Sequence, residues 1–326
     1  MSHYPTTRLR AAGVLLSGAL LPAVLVLAAC GSTTTGSSSS SASGSTAATA
    51  AGKAGYPVTV TVGKSSVTLR ARPTRIVSLS PTATEMLFAI GAAGQVTAVD
   101  SNSNFPATAP KTKLSGFQPN AEAVAGYKPD LVVISNDVNG LVASLTTLGI
   151  PTLLLPAANT LDDSYSQETS LGQATDHVAE AAKVVADTQS RIATAISSVP
   201  ASAKKLTFYH ELDQTYYSVT STTFIGGIYK LFGLTDIADT SPKAAAAGGY
   251  PQLSAEFIIK AAPDVIVLAD GLCCAQSLAA VGARKGWATI PAVKNAKVIM
   301  INDDIASRWG PRTADFAEAV AKTLAA

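Results

Sequence analysis

Glu122-Ala-Val-Ala-Gly-Tyr-Lys-Pro129-Asp130-Leu-Val-Val-Ile134 and Glu256-Phe-Ile-Ile-Lys-Ala-Ala-Pro263-Asp264-Val-Ile-Val-Leu268 are two copies of one design. Each opens on a Glu. Each places a Pro-Asp pair so that the Asp falls eight residues after the Glu (130 − 122 and 264 − 256), and four apolar residues follow. An amphipathic helix with a carboxylate in its first turn, stopped by Pro and followed by a short buried strand, accounts for every position. The copies lie 134 residues apart (256 − 122), which predicts two lobes of similar construction.

The segments around them repeat the pattern. Ile76-Val-Ser-Leu-Ser80-Pro81-Thr82-Ala-Thr84-Glu85 reads as strand, tight turn and helix start, with Thr82 or Thr84 as cap and Glu85 favouring the helix dipole. Strands are predicted at 96–99, 131–134, 152–155, 205–210, 265–268 and 297–301, with helices between them. Such alternation implies mostly parallel sheets with helices on both faces. Residues 58–69 alternate Val and Thr and read as an edge hairpin. Residues 160–199 show helical spacing and no strand signal, with a break near Gly172-Gln173, and Pro200 ends them. The fold class is therefore α/β, two Rossmann-like lobes joined by one long interdomain helix. The boundaries are 57–159 for the first lobe, 160–200 for the linking helix and 201–326 for the second lobe.

The N-terminus is of another kind. Arg8 and Arg10 precede an apolar run from Ala11 to Leu27, and Leu27-Ala-Ala-Cys30 matches a lipoprotein cleavage box. Residues 1–29 are read as a signal peptide, Cys30 as the lipidated residue, and 30–56, rich in Ser, Thr, Gly and Ala, as a flexible tether. Lipid on Cys30 would hold the protein on the outer face of the cytoplasmic membrane. Cys273 and Cys274 are adjacent, and an exported location permits either a vicinal disulfide or two free thiols.

Charged residues are 14% of the 326 and the formal charge is +2, without a basic cluster, so nucleic acid is not an expected partner. There is no phosphate-binding glycine loop, no metal-spaced pair of His and no Gly-x-Ser-x-Gly. No enzyme activity, resident cofactor or protein-held metal is expected. A hydrolase using Ser80 as nucleophile is the alternative from another class; a hydroxyl that lines a pocket or caps a helix is the favoured role. Aromatic residues recur in loops at the carboxyl ends of predicted strands: Phe117, Tyr216, Tyr217, Tyr250 and Trp309. That edge is where open α/β sheets bind ligands, and a cleft lined by rings suits a large, flat, partly apolar molecule.

From Arg75 to Ala326 the chain resembles the substrate-binding proteins of ABC importers for metal chelates, namely vitamin B12, ferric siderophores and haem. The residues carrying the likeness are Ile76 to Glu85, the two Glu/Pro-Asp stretches and Asp304 to Arg312. Within that family it is most similar to the vitamin B12-binding proteins. Phe117 and Tyr250 fall where those carry Trp, and Tyr217 where they carry Phe; Asp304 and Arg308 match their polar loop. Asn102 stands where a Tyr is expected and Ser135 where a Trp is. The resemblance implies ligand contacts from Ser80, Thr82, Phe117, Tyr217, Tyr250, Asp304 and Arg308. It implies a cobalamin-like ligand ahead of a ferric siderophore or haem, whose charge Arg308 could meet. It also implies that Glu122 and Glu256 dock on an ABC permease dimer served by its ATPase. A single long helix between lobes implies a small change in lobe angle on binding.

Overall fold

The structure is a computed structural model and describes residues 55–325. The expected signal peptide, Cys30 and nearly all of the tether lie outside the described residues. The first element is the expected hairpin, β1 (Val58–Val62) paired antiparallel with β2 (Ser65–Leu69). Its alternation buries Val60, Val67 and Leu69, while Thr59 and Thr68 join hydroxyls at 2.8 Å on the outer side.

The first lobe follows in alternating order: β3 (Ile76–Ser78), α1 (Pro81–Ala89), β4 (Val96–Val99), α2 (Ala121–Ala125), β5 (Leu131–Ile134), α3 (Leu141–Thr147) and β6 (Thr152–Leu154). The strands form a parallel sheet in the order β4-β3-β5-β6. β3 and β5 are buried along their whole length. Coverage on both faces explains why they read as unbroken apolar runs, not alternating ones.

The second lobe contains β7 (Thr207–Glu211), α6 (Phe224–Leu231), β8 (Thr235–Asp236), α7 (Ala255–Ala261) and β9 (Val265–Leu268). Three short helices, α8 (Gly271–Cys274), α9 (Leu278–Gly282) and α10 (Pro291–Lys294), lead to β10 (Val298–Met300), α11 (Asp303–Ser307) and α12 (Thr313–Ala325). Its sheet is parallel too, in the order β10-β9-β7-β8. Numbered within each lobe, both sheets run 2-1-3-4, so the second lobe repeats the first in topology as well as in sequence pattern.

The repeated Pro-Asp pair has a structural task. Asp130 accepts from the amide and hydroxyl of Thr74 (2.8 and 2.9 Å) and from the amide of Arg75 (2.9 Å), at the entrance of β3. Asp264 accepts from the amide and hydroxyl of Thr207, both at 2.9 Å, at the entrance of β7. In each lobe the carboxylate ties the third strand to the start of the first, where the ladder leaves orphan donors.

Residues 160–199 are two helices, α4 (Leu161–Thr175) and α5 (Val178–Ser198). The break falls at Asp176, which ends α4 in the left-handed region (φ 62°), beyond the expected Gly172-Gln173. Gly172 has a packing reason instead: a Cβ there would approach that of Ala181 to 2.5 Å, so it lets α5 cross closely. α5 is the long link. Its 21 residues extend about 30 Å. Ala181 sits in the core of the first lobe, and Ile192 and Ala195 sit in the core of the second. Arg191 on its outer face pairs with Asp315 (2.5 Å) and Glu318 (2.8 Å) of α12. Among the described residues no helix is long and apolar enough to cross a membrane.

Candidate functional site

In a 2-1-3-4 sheet the connections from the first and third strands leave in opposite directions, so a crevice opens between their carboxyl ends. In the first lobe these are β3, leading into Ser80, and β5, leading into Ser135 and Asn136. A cavity of about 580 Å³ lies there. Its first-lobe wall is Ser80, Thr82, the Ser101–Asn104 loop, Phe117 and the Ser135-Asn136 turn. Its other wall comes from the second lobe through Asp304, Ser307, Arg308 and Trp309. The site lies between the lobes.

Ser80 is the N-cap of α1, its Oγ accepting from the amide of Ala83 at 3.3 Å; Thr82 and Thr84 do not cap. Pro81 fixes the helix start with a φ already suited to it. The described histidines bond elsewhere, His177 to Gln95 and Arg72, and His210 to Tyr229. Ser80 thus has a cap geometry and no hydrogen-bonded base, unlike an activated nucleophile. Thr84 closes a buried hydroxyl chain with Ser78 and Ser103, each at 2.9 Å, beneath the cleft floor. Asp100 beside it is buried; burial pushes its carboxyl above the usual range, against the Ser103 hydroxyl bond at 2.6 Å.

Phe117 is the most exposed large apolar side chain described, at 73%. Its aim depends on Gly116. A Cβ there would lie 2.5 Å from the carbonyl oxygen of Leu79 and 2.8 Å from Asp100 Oδ2. Only glycine lets this loop pass so closely over the end of β3.

The second-lobe wall is fixed by charge. Arg308 is buried. Its Nη1 donates to Glu85 Oε1 (2.7 Å) and Asn104 Oδ1 (2.9 Å). Its Nη2 donates to the Asn102 carbonyl (3.0 Å) and Asp304 Oδ1 (2.6 Å). Glu85, on α1 and 3% exposed, also takes a fork from Arg312, Nε at 2.8 Å and Nη2 at 2.5 Å. Burial works against the Arg312 charge, but the Glu85 carboxylate outweighs it and raises that pKa. The Arg312 guanidinium also lies 4.2 Å over the Phe105 ring. Trp309 donates Nε1–H to Gln167 of α4 at 2.9 Å, and Ser164 of α4 donates to its carbonyl.

The cleft therefore brings together Ser80, Thr82, Phe117, Asp304 and Arg308. Tyr217 and Tyr250 do not line it. Both are exposed at 42%, on loops of the second lobe joined by a bridge between Tyr217 and Gln252. Asn102 and Ser135, which fall where the vitamin B12-binding proteins carry rings, line the wall; sequence reading did not find Asn104 and Asn136 there, nor Glu85 as the partner of Arg308. Their polarity was visible, but 223 residues separate Glu85 from Arg308 and no local pattern joins them. The stretch read as a loop, 303–312, begins with α11, capped by Asn302, whose Oδ1 accepts from the amides of Asp304 (2.9 Å) and Ile305 (3.3 Å).

Glu122 and Glu256 are exposed in the first turns of α2 and α7, which Asn120 and Ser254 cap. Each helix returns antiparallel to its sheet, which puts both acids at the carboxyl edge that also bears the cleft. Cys273 and Cys274 are joined in a disulfide on α8, and the Cys273 amide donates to Asp303 Oδ2 at 3.1 Å.

Known proteins are similar to this chain. A family model described as periplasmic binding protein matches residues 76–305. A cobalamin-binding protein of Halobacterium salinarum is 34% identical over 221 residues, 65% of this chain; the match spans 58% of that relative's length. The Bacillus subtilis ABC transporter substrate-binding lipoprotein YvrC is 28% identical over 316 residues, covering 94% of this chain and 95% of that one. A Staphylococcus epidermidis structure, described as a possible iron-binding periplasmic solute-binding protein, superposes with a TM-score of 0.66 at 25% identity, covering 78% of this chain and 99% of the other.

Proposed function

The chain belongs to the periplasmic binding protein family, and from that premise we propose that it is the extracytoplasmic substrate-binding lipoprotein of an ABC importer for a metal chelate. The favoured ligand is a cobalamin-type corrinoid, taken between the lobes and passed to a permease dimer with its ATPase. The chain performs no chemistry on it and holds no resident cofactor; the metal arrives inside the ligand. Lipid on Cys30 would keep the protein on the outer face of the cytoplasmic membrane.

The observation that carries this reading is the cleft at the topological switch point. It has walls from both lobes, amides and hydroxyls along its sides, and the Phe117 ring standing out. A projecting ring gives a flat macrocycle a stacking face, and surrounding amides meet its polar rim. The cobalamin-binding relative from Halobacterium salinarum supports the ligand class, and the Bacillus subtilis lipoprotein supports the transport role. The runner-up, a ferric siderophore or haem, draws on the Staphylococcus epidermidis structure.

Titration of the detergent-purified full chain with cyanocobalamin, ferric siderophores and haemin tests the assignment. Saturable corrinoid binding is expected, with a 1:1 end point. Tight siderophore binding alongside no detectable corrinoid binding would reverse the ranking.

Docking is tested separately. Glu122 and Glu256 stand at equivalent positions of two repeated lobes, which suits a two-fold partner. Glu122→Lys with Glu256→Lys is expected to abolish uptake in cells while ligand affinity stays within about twofold, as for surface changes that touch nothing buried. A drop in affinity in place of uptake would mean that these acids line the cleft.

A further inference from the structure

We infer that the cleft is built for a chelate with no net negative charge, because Arg308, the cation in its wall, is committed as a clamp between the lobes. The inference rests on the chelate-binding reading above and specifies the ligand's charge class.

Arg308 belongs to the second lobe. Three of its four bonds run to the first lobe, to Glu85, Asn104 and the Asn102 carbonyl, and the fourth runs to Asp304. Both N–H groups on each terminal nitrogen are thereby used. An anionic group could take these four N–H groups only by displacing acceptors already on them, and displacing Glu85, itself 3% exposed, is the costly exchange. That exchange strands a buried charge with Arg312 alone, so the wall resists it. The cluster is also balanced. Glu85 and Asp304 supply two negative charges and Arg308 and Arg312 two positive ones, leaving a net of zero. Among the described residues no other Lys or Arg lines the cavity.

What remains available to a ligand is neutral. Asn104 is already engaged, its Oδ1 accepting from Arg308 at 2.9 Å and its Nδ2 donating to Asp304 Oδ2 at 2.7 Å; Asn102 and Asn136 are exposed at the rim. Their amides both donate and accept, so they match amide and hydroxyl groups on a ligand's edge. Asp304 keeps part of its surface open, with a side chain 29% exposed, so any residual field at the wall is slightly negative and tolerates a cation. The site selects by leaving a carboxylate without a partner, which is discrimination by desolvation as much as by contact.

Matched ligand pairs separate charge from scaffold. The full chain would be titrated with cyanocobalamin against one of its monocarboxylic acid derivatives, and with ferrioxamine B against its N-succinyl derivative. The anionic member of any pair that binds is expected to be at least about tenfold weaker, the scale set by one unpaired buried polar group. The same pairs on Arg308→Gln are expected to weaken together, with the ratio between members unchanged, because a clamp acts on the cleft and not on the ligand's charge. Equal or tighter binding of the anionic member to the native chain would overturn the inference and leave the chelate-binding reading standing. So would a selective loss of the anionic member on Arg308→Gln. Absence of binding by every member of both pairs, and by haemin titrated beside them, would overturn the chelate-binding reading itself, and the inference with it. The native-chain comparison does not depend on whether the variant folds.

Discussion

Glu85→Ala is expected to remove about 3–5 kcal/mol of stability, the scale for deleting one partner of a buried ion pair. The reason is positional. Glu85 lies on α1 with its carboxylate forked to Arg312 and shared with Arg308. It is the common acceptor of two guanidiniums from the other lobe, Arg308 buried and Arg312 half-buried. Without it both cations remain in place with fewer acceptors, and neither can shed its proton in a protein. The loss should appear in urea denaturation of the full chain as a lower midpoint. Combining Glu85→Ala with Arg308→Met and Arg312→Met is expected to recover part of it, since the one charge then left, Asp304, is part-exposed and still accepts from Asn104 Nδ2 at 2.7 Å. A loss below about 1 kcal/mol for the single variant would sink the account, because that is the value of an exposed pair. The two expectations about Arg308 are linked: the clamp that fixes the cleft wall is also a main electrostatic tie between the lobes.

That tie shows what kind of information the sequence carries openly. The β5 run Leu131–Ile134 and the β9 run Val265–Leu268 are legible because a strand covered on both faces must be apolar at every position. The Pro-Asp pairs are legible as helix stops, and their repetition marks the duplication, yet their bonds to Thr74 and Thr207 need a neighbouring strand that local pattern does not specify. Local chemistry also misled in small ways. Three hydroxyl residues compete to cap α1, and Ser80 takes the task because Pro81 occupies the first helical position. β8 is two residues long and carries too little pattern to register. For the site, residues on loops at strand ends could be nominated, and Ser80, Thr82, Phe117, Asp304 and Arg308 do meet in one cavity. Which rings meet there depends on how the two lobes face each other. Tyr217 and Tyr250 share the chemical type of Phe117 and stand outside the cavity lining.

The second lobe has the same switch point as the first, between the ends of β7 and β9, and it is filled. Glu211 and Asp270 emerge there, fully buried. Arg284 closes it with a fork on Glu211 (2.6 and 2.5 Å), a bond to Gln276 (2.7 Å) and its guanidinium 4.5 Å over Trp287. The two lobes therefore use equivalent positions in opposite ways, one as an open wall and the other as a plug. Arg284→Met is expected to cost about 3–5 kcal/mol at pH 7.5, because it leaves two carboxyl groups in a buried site with no cation. The deficit should depend on pH. Burial and the adjacent Glu211 charge raise Asp270 to about 7, with Arg284 holding it down. Its folded pKa thus exceeds the unfolded value near 4, so folding takes up a proton and stability falls as pH rises between about 4 and 7. Deleting Arg284 shifts proton uptake to higher pH still. The variant then binds protons that the native fold does not, and its deficit shrinks as pH falls from about 8 to 5. Denaturation midpoints of both chains at pH 5 and pH 7.5 give the comparison. An equal deficit at the two values would mean that Arg284 acts through packing on Trp287 and Tyr216 and not through charge. A smaller deficit at pH 5 would identify the plug as the electrostatic counterpart of the cleft, and would explain why one of two equivalent switch points is open and the other closed.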